Sequence, residues 1–154
     1  MKTSLLRSSL AVVLTYVAMS LVIIASFASL WLGLGPDRLL MPGSFKGNLF
    51  FCITAPAITV VVGLLGGVMC AKIARGGRTP VLVLAGMVLV LGAITAAFIL
   101  QKPFPSDPRP PGMTLQEMME VGREPTWLAI FNPIGGALAV FAGGVLLAGS
   151  RKAE

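Results

Sequence analysis

Few residues in this chain are able to do chemistry, and most of those are isolated from one another. The 154 residues include no histidine, which removes the commonest metal ligand and the commonest general base. Cys52 and Cys70 lie 18 positions apart within one apolar stretch. On a single helix that is about 27 Å, against the roughly 7 Å between Cα atoms that a disulfide tolerates, so they read as two small apolar side chains. The six acids, Asp37, Asp107, Glu117, Glu120, Glu124 and Glu154, all fall outside the apolar stretches. Thr15, Tyr16, Ser20, Thr54 and Thr95 are scattered hydroxyls that can bond back to their own helix. Hydrolytic metal or dyad sites therefore lack their ligands and bases. The sequence predicts no catalytic residue, no cofactor site, no metal site, and a protein that is not an enzyme.

What remains is one short run near the C-terminal third: Arg123, Glu124, Trp127, Asn132 and Pro133. Asn132 is an amide inside an apolar stretch, next to a proline that frees a backbone carbonyl one turn earlier. An amide there can hydrogen-bond across a helix interface, worth about 0.6–2 kcal/mol in membrane proteins. The competing reading is a ligand or ion site at a broken helix, as transporters build. Pro125 suits the first turn of a helix, Glu124 complements its N-terminal dipole, and Trp127 sets its depth. These five residues are the candidate ligand or packing site.

The elements that must position them follow from composition. Hydrophobic residues make up 56% and charged residues 12%, with a mean hydropathy of +0.90. Soluble domains carry about 25% charged residues, so lipid is the expected solvent. Four stretches contain no Asp, Glu, Lys or Arg: Ser8–Pro36, Gly47–Ala71, Thr79–Gln101 and Pro125–Ser150. Each exceeds the roughly 20 residues that span a bilayer core. Each must also satisfy its backbone hydrogen bonds internally, which helices do. Runs such as Val60-Val61-Val62 lack the alternation of barrel strands. The expected architecture is all-α, a single integral membrane domain over residues 1–154. It is a four-helix bundle with spans at about 8–34, 47–71, 79–101 and 126–149 and an outer loop at 102–125. The first span continues too far to be a cleaved signal segment.

Lys2, Arg7, Lys72, Arg75, Arg78, Arg151 and Lys152 fall at one end of this bundle, and five basic residues at the other. The positive-inside rule then puts both termini in the cytoplasm, with a bacterial inner membrane as the expected location. The net charge of +6 is absorbed by that topology, and no basic patch interleaved with aromatics suggests nucleic acid. Trp31 and Trp127 are expected as anchors at the outer boundary. In the outer loop, prolines keep 102–111 extended. Thr114 and Glu117 form a capping-box pattern for a short helix over Thr114–Val121, stopped by Gly122, with Leu115, Met118 and Met119 as its apolar stripe.

Small residues recur every four positions at Ala55, Thr59, Gly63, Gly67 and Ala71, and again at Gly135, Ala139 and Gly143. Ala11, Thr15, Ala18, Ala25 and Ser29 offer a similar line on the first span. Such seams let membrane helices approach closely. The run Gly122-Arg123-Glu124-Pro125-Thr126-Trp127-Leu128-Ala129-Ile130-Phe131-Asn132-Pro133-Ile134-Gly135-Gly136 resembles one found in a group of small, uncharacterised bacterial membrane proteins. Leu10 to Val17, Pro42-Gly43-Ser44 and Gly66-Gly67-Val68-Met69-Cys70 resemble that group as well. The resemblance implies four spans and brings no activity, cofactor or site residue. The leading functional expectation is a non-enzymatic structural or accessory subunit, in contact with the lipid bilayer. It would bind a membrane protein partner, or itself as a homo-oligomer, through the glycine faces. The alternative is a small transporter or channel with its site beside Asn132-Pro133.

Overall fold

A computed structural model describes residues 2–75, 78–103, 108–110, 113–114, 116–117, 121 and 124–149. Its helices are α1 (Lys2–Leu34), α2 (Pro36–Leu39), α3 (Leu49–Ile73), α4 (Arg78–Gln101) and α5 (Thr126–Gly149). Four of them hold stretches long and apolar enough to cross a membrane: Leu6–Leu34, Leu49–Ile73, Arg78–Gln101 and Thr126–Val145. The protein is an all-helical, four-helix membrane bundle. Large apolar side chains such as Leu10, Leu21, Ile53, Leu65 and Phe98 point outward, as lipid-facing positions do when no water surrounds them.

The start of α3 is set by a cap that apolar run length does not reveal. Asn48 accepts the Phe51 N–H at 3.0 Å, and its own amide donates to the Arg38 carbonyl at 2.6 Å. One side chain thus satisfies an orphan helix N–H and ties α3 to the end of α2. At the opposite end, the Arg7 Nε–H donates to the Ile73 carbonyl at 2.8 Å. A cation there suits the negative end of the α3 dipole.

The glycine seams are used within the chain. A methyl group on Gly63 would sit 2.7 Å from Cβ of Ala139, and one on Gly67 would collide with the Val140 carbonyl. One on Gly143 would strike the Leu64 backbone. So α3 and α5 meet backbone against backbone, the closest pairing in the bundle. On α1 the small-residue line works only in its first half. Ala11 and Thr15 are fully buried, whereas Ala25 and Ser29 face outward. The inner core beneath that half gathers Val81, Leu84, Cys70 and Val140.

In the second half of α1, large side chains fill the widening gap instead. Trp31, Leu39, Leu40, Phe51, Ala55 and Leu128 form a second core at the loop end, with Phe27 and Met113 against it. Trp31, expected as a boundary anchor, is only 9% exposed. The indole is taken inward because α2 and the turn after it fold back over the bundle. Trp127 is 52% exposed and faces outward. The turn closes through Met41 N–H to the Lys46 carbonyl at 2.8 Å. Gly43 adopts φ +65° there, a conformation that glycine alone takes without cost. The Arg109 N–H donates to the Gly43 carbonyl at 3.0 Å, and its guanidinium pairs with Asp37. Arg109 thus straps the 108–110 segment across the turn.

Beyond the strap, the Thr114 N–H donates to the Glu117 carboxylate at 2.8 Å, and the Glu117 N–H reaches Thr114 Oγ1 at 3.3 Å. These are the two reciprocal bonds of a capping box. Gln116, Glu117 and Val121 are helical; Leu115, Met118, Met119, Glu120 and Gly122 lie outside the described residues.

Candidate functional site

The site begins where α5 does. The carbonyl of Pro125 accepts the N–H groups of Leu128 and Ala129 at 2.9 and 3.2 Å, so the chain turns into the helix directly after Glu124. That turn aims the Glu124 side chain down the bundle rather than out to water. Two helical turns further on, Asn132 Nδ2 donates to Glu124 Oε2 at 3.1 Å. Asn132 Oδ1 in turn accepts from Thr59 Oγ1 on α3 at 3.3 Å, and the same hydroxyl also reaches the Ala55 carbonyl at 3.2 Å. Both hydroxyl bonds are long for their type, as expected of one proton shared between two acceptors. The result is a polar line, Glu124 to Asn132 to Thr59, crossing from α5 to α3.

Two small residues make room for it. A methyl on Gly136 would lie 3.3 Å from Thr59 Cγ2. Pro133 rests on Gly92 of α4, where an added Cβ would lie 2.8 Å from the proline ring. The helix proline is thus seated against a residue of α4 that has no side chain to displace.

The polar line borders a cleft of about 320 Å³. Tyr16, Met19, Ile23 and Phe27 of α1 form one wall, and Val88, Leu91, Thr95 and Ile99 of α4 the other. Glu124, Asn132, Thr59 and Ser20 add polar groups to the Tyr16 and Thr95 hydroxyls, though the Ser20 hydroxyl bonds to its own helix at the Tyr16 carbonyl, 3.0 Å away. Leu91 and Thr95 are exposed at the rim, so the cleft opens sideways between α1 and α4. The aromatic core at the loop end covers it from above, sharing Phe27 with its wall. A second cleft, of about 490 Å³, lies between the same helices at the opposite end, beside Ser8, Ser9 and Thr79.

Burial pushes the Glu124 carboxyl above the ordinary glutamate range, and the Asn132 amide pulls it part of the way back. Taking a carboxylate out of water disfavours its charge, while a donor aimed at it favours that charge. Among the described residues no three of His, Cys, Asp and Glu converge as a metal set would. The line itself offers one carboxyl, one amide and one hydroxyl as hydrogen-bonding groups.

The structure brings together three of the five residues singled out from sequence: Glu124, Asn132 and Pro133. Trp127 points away from the cleft, and Arg123 lies outside the described residues. Glu124, expected to serve the helix dipole, instead turns its carboxyl to Asn132 within the bundle, so the bundle is less empty of ionisable groups than the apolar stretches imply. The eight-residue spacing to Asn132 carried that signal, since two turns return a side chain to the same helix face. Thr59 and Tyr16 come from other helices and had no such signal. Comparison of the chain with family models, with curated proteins and with solved structures found no match.

Proposed function

We propose that this protein is a non-enzymatic, multi-pass membrane protein that binds a small amphipathic molecule in the α1–α4 cleft, as a small transporter would. The observation that carries this reading is the Glu124–Asn132–Thr59 line on the border of an apolar cleft open towards lipid. Ligand sites are typically apolar cavities of about 300–1,000 Å³ with a few convergent polar groups, and this one has that size and make-up. An accessory subunit bound through glycine seams is favoured less, because those seams are filled by the chain's own helices. A membrane protein partner or a second copy would use the lipid-facing surface instead. The basic residues around Arg7 and Lys72–Arg78 support a cytoplasmic location for the termini, in a bacterial inner membrane.

Native mass spectrometry of protein released from lipid nanodiscs tests the binding reading. The wild-type chain should carry a non-covalent small-molecule adduct that an Asn132→Leu variant loses. Identical adduct spectra for the two proteins overturn it.

A further inference from the structure

Glu124 is a carboxyl with an unusual set of neighbours. Its only hydrogen-bond donor among the described residues is a neutral amide, Asn132. The other titratable groups there are the Cys52 thiol on α3, which feels its charge, and the Tyr16 phenol on α1, which lines the same cleft. From α4 the wall contributes only apolar side chains and the Thr95 hydroxyl, and that hydroxyl bonds to the Leu91 carbonyl at 3.0 Å. No described Lys or Arg pairs with Glu124. A carboxyl in an apolar cleft reaches its charged form most readily when a cation arrives to pair with it. The rest of the cleft suits the body of such a cation. Tyr16 and Phe27 present aromatic rings, which attract ammonium groups, and Met19 and Ile23 offer adaptable apolar contact.

We infer that the cleft takes a monovalent organic cation with an apolar body, and that cation and proton compete for the Glu124 carboxyl. This rests on the binding reading above and narrows it to a ligand class. On binding, the proton leaves the Glu124 Oε atoms for solvent, the cation takes its place, and the charge of the cleft is unchanged. Burial raises the carboxyl above its ordinary range, which favours the protonated form in the empty cleft.

The test uses benzyltrimethylammonium and its neutral isostere neopentylbenzene, titrated into the full-length protein in nanodiscs by calorimetry from about pH 4 to about pH 9, which spans the ordinary carboxyl range and values raised above it. Cation affinity should rise by up to about tenfold per pH unit below the carboxyl pKa and then level off. Neopentylbenzene affinity should stay flat across the same range. The Glu124→Gln variant, which keeps an acceptor for Asn132, should lose the pH dependence and bind the cation at least about tenfold more weakly, with neopentylbenzene unaffected. The wild-type pH series stands without the variant, should that fail to fold. Equal, pH-independent affinity for both probes overturns the cation assignment and leaves the binding reading intact. Failure of both probes to bind at every pH overturns the two together.

Discussion

Gly67→Ala and Gly86→Ala add the same methyl group to two transmembrane helices and should move stability in opposite directions. At Gly67 the new carbon would fall 2.6 Å from the Gly144 amide nitrogen, and nearer still to the Val140 carbonyl oxygen. Heavy atoms prefer about 3.5–4.0 Å, so α3 and α5 must part by on the order of 1 Å. Both neighbours are backbone, so no side chain can rotate out of the way. Overpacking of this kind costs about 1–3 kcal/mol, and the whole seam through Gly63 and Gly143 is loosened with it. At Gly86 an added methyl meets nothing within 4 Å. That substitution gains up to about 1 kcal/mol from helix propensity. The two variants should therefore differ by roughly 1–4 kcal/mol on these magnitudes. Unfolding in mixed micelles, titrated with dodecyl sulfate and followed by far-ultraviolet circular dichroism, measures the difference. If Gly67→Ala falls within about 0.5 kcal/mol of the wild type, the range of a neutral surface change, the backbone-to-backbone seam is refuted.

Other outcomes follow from the loop end and the thiols. The Thr114 N–H and the Thr114 hydroxyl, which donates to the same carboxylate oxygen at 2.8 Å, hold the Glu117 carboxyl below the ordinary glutamate range. Because its folded value is depressed, the capping contact is fully present above the unfolded pKa and is lost as pH falls through the folded one. A carbon-13 titration should show Glu117 moving back up in Thr114→Ala; an unchanged titration contradicts the capping box. Asp37→Asn should cost less than about 1 kcal/mol, since Asp37 is largely exposed. It should nonetheless speed hydrogen exchange at the Arg109 amide, which bonds to Gly43, and unaltered exchange there would mean that the ion pair does not hold the strap. Cys70 is fully buried and Cys52 only partly so. Maleimide should therefore label Cys52 first and leave Cys70 unmodified until the bundle unfolds, and equal labelling rates would contradict the packing around Cys70.

The four spans were legible because charge exclusion from lipid is a one-dimensional signal, written as uninterrupted apolar runs. The capping box at Thr114 and Glu117 was legible for a similar reason, since its partners are three residues apart. Trp31 was misread because its position along the chain suggests a boundary, while its burial depends on α2 and Leu40 folding back from five to nine residues away. Asn48 was overlooked as a cap because an apolar run gives a helix's extent but not the residue that starts it. The site was half legible. Asn132-Pro133 declared itself as a polar break, and Glu124 lay in the same run. Yet the contact between them depends on the turn at Pro125, and Thr59 enters only because Gly136 lets α3 and α5 close. Such pairings between distant segments leave no periodic trace in a single sequence.

For the ligand proposed above, the covered loop end changes what a binding constant means. With Trp31 and its neighbours packed above the cleft, and Asp37 and Arg109 fastening the strap over them, the way in runs between α1 and α4 from the lipid phase. Occupancy then tracks the mole fraction of ligand dissolved in the bilayer. A weakly held molecule that partitions strongly into lipid can fill the cleft, and a tighter one confined to water can leave it empty. Selectivity is then shared between the residues of the cleft and the membrane that delivers the ligand. The same protein will rank ligands differently in bilayers of different composition.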